Sequence, residues 1–255
     1  MGKVEREFES PLDQFDLRNL FAVDILDNKF SITNMALTMV MASLIVTILF
    51  FMNNNFHKLI TNASLLVKES VYATIQSIVI SQINDKKGQR FFSFMFTLFV
   101  FILSNNLVGM IPYSFAATSH FILTFSLSFT VVIGATILGL AIHKTRFFSV
   151  LVPSGCPLAL LPLLVMIEFI SYLARNVSLG LRLAANVLSG HMLLNILSGF
   201  TYNMMCTNVY IFFLAIIPLN FVIAFSGLEI GIAFIQAQVF VVLSCSYIKD
   251  GLNLH

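Results

Sequence analysis

Glu168-Phe-Ile-Ser-Tyr-Leu-Ala-Arg-Asn-Val-Ser-Leu-Gly-Leu-Arg-Leu-Ala-Ala-Asn-Val-Leu-Ser-Gly-His-Met-Leu-Leu-Asn195 puts a carboxylate, two guanidiniums and an imidazole into an otherwise apolar run. It lies inside an apolar segment over residues 158–200 that no clear turn interrupts, and a second such segment covers 208–248. At about 1.5 Å per residue each would run over 60 Å as a helix, roughly twice the hydrocarbon core of a bilayer. Each therefore crosses a membrane either twice, or once as a long, strongly inclined helix.

Composition requires the membrane. Of 255 residues, 58% are hydrophobic and 10% charged, with a mean hydropathy of +0.92. A soluble domain of this size does not carry that balance on its surface. Cys156, Cys206 and Cys245 are odd in number, far apart and without CxxC or His spacing. They read as free thiols rather than a disulfide framework or zinc site; neither a metal, a cofactor nor a nucleic-acid partner is expected. The N-terminus lacks the pattern of a secretory signal.

Outward from the quoted stretch, residues 1–34 form a polar arm, and 35–255 one transmembrane domain. The first 30 residues hold seven acidic against four basic side chains, and Ser10-Pro11 suits the start of a short helix. Apolar runs over 35–52, 91–111 and 119–142 are long enough to span. Between the first two, residues 64–83 repeat apolar side chains near helical spacing among polar ones, as in an amphipathic helix at the membrane surface. Single crossings throughout put every Lys and Arg of the inter-span loops on one side, because 112–118 and 200–207 contain none. That tidiness favours inclined single crossings over a seven-span chain. The expected fold is an all-α integral membrane protein with about five membrane helices, the last two a long, tilted hairpin, plus one interfacial helix.

Glu168, Arg175 and Arg182 are spaced by seven and return nearly to one helical face, with Ser171, Ser178, Asn186 and Ser189 on or near it. His191 falls on the opposite side, with Asn195 one turn beyond. A guanidinium at bilayer depth costs roughly 2.5–3.5 kcal/mol on insertion scales, so Arg182 should face a cavity or a carboxylate. Glu168 cannot be that carboxylate, because fourteen residues of one helix separate the two by about 21 Å. The last segment carries Glu229 and Gln236 on one face, Gln238 displaced from it, Asp250 near its end, and Gly227 and Gly231 where a neighbouring helix can approach. A buried carboxylate beside an imidazole suits a proton relay.

Ser-Leu-Gly-Leu-Arg182-Leu-Ala-Ala-Asn186, then Ser-Gly-His191, preceded by Glu168-Phe-Ile-Ser-Tyr, resembles the signature of subunit a of the F-type ATP synthase membrane sector. Asn106-Leu-Val-Gly-Met-Ile-Pro-Tyr-Ser-Phe with Thr118-Ser-His120, Gly227-Leu-Glu229, Phe234-Ile-Gln236-Ala, Ser10-Pro-Leu-Asp-Gln-Phe and the ending Tyr247-Ile-Lys-Asp-Gly-Leu-Asn-Leu-His255 are similar to the mitochondrial form. The resemblance covers nearly the whole chain in order. Departures are Gln238, where mitochondrial members often have Tyr, and the Asn105-Asn106 doublet.

The resemblance implies a multi-pass stator subunit of the mitochondrial inner membrane. Its partners would be protons, lipid, other membrane-sector subunits and a rotating c-ring. It implies that Arg182 separates two half-channels, that Glu229 and His191 belong to the inlet, that Asn186 and Gln236 are polar neighbours of the arginine, and that Glu168 and Asp250 lie on the outlet. No GxxxxGK[ST] occurs, so the chain is expected to be non-catalytic, with ATP chemistry elsewhere in the assembly. A proton-coupled secondary transporter is disfavoured by the lack of an internal repeat. The other alternative is a purely structural subunit of a respiratory complex.

Overall fold

A computed structural model describes residues 15–25, 28–52, 63–83, 85–111, 114–144, 147 and 160–252. The helix start at Ser10-Pro11, the loop around Pro153 and Pro157, and Cys156 lie outside the described residues. Among the described residues, seven α-helices follow a pair of strands: β1 (Asn19–Ile25), β2 (Asn28–Thr33), α1 (Asn34–Met52), α2 (Ala63–Ile83), α3 (Asp85–Gly109), α4 (Phe121–His143), α5 (Leu161–Thr207), α6 (Val209–Leu214) and α7 (Ile216–Leu252). Among the described residues, five apolar helical segments are long enough to cross a membrane. The protein is an all-α, multi-pass membrane protein in its spanning part.

α5 is one uninterrupted helix of 47 residues, opened by a proline in its first turn. It runs to about 70 Å at 1.5 Å per residue. A doubled crossing of residues 158–200 is therefore excluded. The segment after it is not continuous: α6 ends at Leu214 and α7 begins after a turn at Ala215. Pro218 supplies the physical reason, since it has no N–H for the Leu214 carbonyl and its ring crowds that group.

Three further details add to the reading of the sequence. The acidic arm contains an antiparallel pair, running from Asn19 opposite Thr33 to Ile25 opposite Asn28; Asn34 ties it to α1 by donating its backbone N–H to the Arg18 carbonyl and its Nδ2 to Asp16. On α2, Ile75, Val79 and Ile83 recur every four residues and are buried, and the helix packs on α3 and α7. That part of the helix is covered by protein, while Leu66, Val67, Tyr72 and Ile80 stay exposed. Gly227 and Gly231 have no atom of the described residues within 4 Å of a Cβ built on them, so no helix among the described residues packs closely against them.

The core forms where α3, α4, α5 and α7 converge, around Met95, Phe99, Ile102, Leu179, Leu183, Phe240 and Val241. α4 packs against both α5 and α7. At its end, the His143 ring Nε2 donates to the Leu252 carbonyl, 3.1 Å away, satisfying one of the orphan acceptors of the last turn of α7. At Gly180 an added Cβ would lie 3.1 Å from the Phe125 ring, 3.2 Å from the Thr124 carbonyl and 3.3 Å from the Phe125 Cα. Two of those atoms are backbone and cannot swing aside. Gly180→Val is expected to destabilise the detergent-solubilised protein by about 1–3 kcal/mol, the cost of overpacking, read as a lowered Tm. Gly134→Val, where a Cβ meets nothing within 4 Å, should leave the Tm nearly unchanged.

Candidate functional site

The two faces of α5 have different surroundings. Asn176, Leu179, Gly180, Leu183, Ala184 and Val187 are buried, whereas Arg175, Ser178, Arg182 and Ala185 are exposed. The helix is therefore not buried all round, and its arginine face is open. Arg182 stands on an open patch of the helix surface beside Ile170, Leu173, Val177, Leu181 and Ala185, all side chains of α5 itself. A guanidinium with such apolar company suits a surface that is apolar itself and brings a carboxylate.

Further along α5 a second polar group forms against α7 and α3. Asn106, Asn186, His191, Glu229 and Gln236 surround a cavity of about 10 Å³, the room of roughly one water molecule. The Asn186 Nδ2 donates to the Gln236 Oε1 at 3.0 Å, joining α5 to α7. His191 Nδ1 and Glu229 Oε1 are 3.8 Å apart, within ion-pair reach and beyond a direct hydrogen bond. Gly190 makes this possible, because a Cβ there would meet the Glu229 Oε1 at 2.7 Å. Without that side chain the carboxylate lies against the backbone of α5.

This group is polar well beyond its own hydrogen bonding. Both oxygens of Glu229, both amide atoms of Asn106, the Nε2 of His191 and the Nε2 of Gln236 are buried without a hydrogen-bond partner among the described residues. The same holds for the Thr118 hydroxyl and the His120 Nε2, next to the start of α4. Buried polar atoms are rarely left unsatisfied, so their concentration marks a place suited to water and mobile protons. Burial lowers the His120 pKa from its ordinary value, which favours the neutral ring. The arm reaches this region too: the Phe15 ring meets His191 edge-on at 6.5 Å.

A third set gathers where α5 begins and α7 ends. Arg175 Nη2 donates to Glu168 Oε1 at 3.2 Å, both side chains part-exposed. The Tyr172 and Tyr247 rings meet edge-on at 6.3 Å, and Asp250 follows Tyr247 by three residues near the end of α7. Of the residues singled out in the sequence, Asn186, His191, Glu229 and Gln236 are together in one cluster, and Glu168 and Asp250 share another region. Arg182 stands between them. Asn195 is exposed and does not line the cavity. Asn106 is an addition whose signal was the asparagine doublet within an apolar span. Tyr172 and Tyr247 had no signal, because tyrosine in an apolar helix is unremarkable in spacing and charge.

Residues 35–249 match the family described as ATP synthase A chain. The ATP synthase subunit a of Neurospora crassa is 61% identical over 255 residues, covering all of this chain and 98% of that protein. That of Podospora anserina is 62% identical over 249 residues, 96% of this chain and 94% of its own length. That of Schizosaccharomyces pombe is 42% identical over 253 residues, 96% and 98% of the two chains.

The close approach of α5 and α7 can be checked directly. With Cys156, Cys206 and Cys245 replaced by Ala, Gly190→Cys with Glu229→Cys should form a disulfide on mild oxidation, since a Cβ at 190 lies 3.3 Å from the Glu229 Cγ, a spacing compatible with bridging. Asn195→Cys with Glu229→Cys should stay reduced, as read by thiol labelling.

Proposed function

Because this chain belongs to the ATP synthase A chain family, and is the proton-channel stator subunit of an ATP synthase membrane sector, we propose that its two polar clusters are offset half-channels that load and unload a rotating c-ring. We place it in the mitochondrial inner membrane, as its resemblance to the mitochondrial form implies, with α2 along the membrane surface. Its role is non-catalytic: ATP chemistry belongs to other subunits.

The observation that carries this reading is the position of Arg182 between two separate polar sets. Along α5, Glu168 is about 21 Å from Arg182 and His191 about 13 Å on the other side. Protons enter past Asn106 and His191 to Glu229, whose carboxylate and the neighbouring imidazole exchange a proton over a short gap. From there a carboxylate of the ring is protonated and, once neutral, can turn through lipid. On the other side, the positive charge of Arg182 favours the ionised carboxylate, and the released proton leaves towards Tyr172, Glu168 and Asp250. The same fixed charge repels a proton trying to pass straight between the half-channels. The membrane field supplies about 2.3 kcal/mol per charge per 100 mV, and only protons that take the long way round the ring turn it into rotation.

In vesicles carrying the assembled synthase, Arg182→Ala should abolish ATP-driven proton pumping while the subunit remains assembled. Retained pumping contradicts the channel reading, and loss of assembly with no assembled pool points to a structural role instead. Glu229→Gln should slow proton entry about tenfold or more, corresponding to at least ~1.4 kcal/mol in the entry barrier. Unchanged flux removes Glu229 from the inlet.

A further inference from the structure

Hydroxyl groups along these helices bond back to a carbonyl three or four residues earlier in their own helix, as those of Ser104, Ser126, Thr130, Thr201 and Ser244 do. Ser128 of α4 bonds differently. Its Oγ reaches α5, where its hydrogen bond is shared between the Asn176 carbonyl at 2.8 Å and the Asn176 Oδ1. Ser128 is 0% and Asn176 1% exposed, so the bond lies in a dry contact. There a satisfied pair is rigid and an unpaired partner is costly.

Placement gives this bond its meaning. Side-chain hydrogen bonds hold α5 to two neighbours, Asn176 to Ser128 on α4 and Asn186 to Gln236 on α7. They are ten residues apart, about 15 Å along the axis, with Arg182 between them. At about 100° per residue they project about 80° apart around the helix, with Arg182 about 40° from Asn186 and about 120° from Asn176. One such bond lets a helix roll about the point of attachment. Two bonds to different neighbours at different heights define both its roll and its slide. The apolar contacts between them are non-directional and do not set the angle so sharply. A roll of about 20° moves a group at a radius of roughly 6 Å by about 2 Å, enough to change what a guanidinium faces.

We propose that the Ser128–Asn176 hydrogen bond is a positioning clamp for Arg182, acting with Asn186–Gln236 to hold α5 at the rotation that aims the guanidinium outward from the open face of the helix. Ser128 and Asn176 touch neither proton path; they are positioning residues that act through the helix. The inference rests on the reading of Arg182 as the barrier between half-channels.

The test uses full-length chain in the assembled synthase in sealed vesicles, with passive proton leak and protons pumped per ATP hydrolysed as readouts. Ser128→Ala should raise the leak about tenfold and lower the protons pumped per ATP at least twofold at unchanged assembly, and Ser128→Thr should restore both. The double variant Ser128→Ala with Asn176→Leu replaces the polar pair by an apolar one, keeping the contact packed, and should leak likewise. Normal leak and coupling in the assembled double variant overturn the clamp, whatever the single variant does. Loss of assembly in both variants also overturns it, in favour of a bond that serves only folding. Arg182→Ala is measured alongside: if it pumps normally the half-channel reading itself fails, whereas a silent Arg182 variant with a normal Ser128 variant removes the clamp alone.

Discussion

A charged guanidinium resists entering hydrocarbon, at roughly 2.5–3.5 kcal/mol on insertion scales, and the arrangement of α5 follows from accommodating Arg182 there. The side chain stands on the exposed face among apolar side chains of the same helix, open to a partner that brings a counter-charge. The opposite face is buried against α4 and α7. A long helix with one face open and one face packed can present a fixed charge to a partner while its backbone stays still.

Small residues and cross-helix hydrogen bonds make that stillness possible. Gly180 lets α4 lie directly on α5, and Gly190 lets the Glu229 carboxylate reach the backbone beside His191. Asn186 and Gln236 are then close enough to bond. The remaining polar atoms of the His191 cluster are unsatisfied by protein among the described residues, as the proposed inlet needs. A structural network would close its own hydrogen bonds; one that carries protons needs acceptors and donors left open to exchange.

Most of the architecture was legible in the sequence because bilayer thickness sets a length scale. Apolar runs of the right length marked the spans, and the placement of Lys and Arg favoured single crossings, in keeping with the unbroken α5. Helical phase separated Arg182 from His191, and the seven-residue spacing of Glu168 and Arg175 corresponds to an ion pair. The strand pair at Asn19–Thr33 was hidden because acidic residues masked a short alternation. The break at Ala215 needed Pro218 to be weighed as a lost hydrogen bond rather than as one residue in an apolar run. Cross-helix pairs such as Ser128–Asn176 cannot be read from one sequence at all, because 48 residues separate partners whose types are common in membrane helices.

Separation of the two polar sets is the central claim, and access from the two sides of the membrane tests it most directly. In the cysteine-free assembled synthase, single cysteines at His191 and at Glu168 are exposed to a small, membrane-impermeant thiol reagent added to one side or the other. Two half-channels predict that the cysteine at 191 reacts from one side only and the cysteine at 168 only from the opposite side, each at a rate insensitive to reagent on the far side. Reaction of both positions from the same side, or of either from both, would contradict a partition at Arg182.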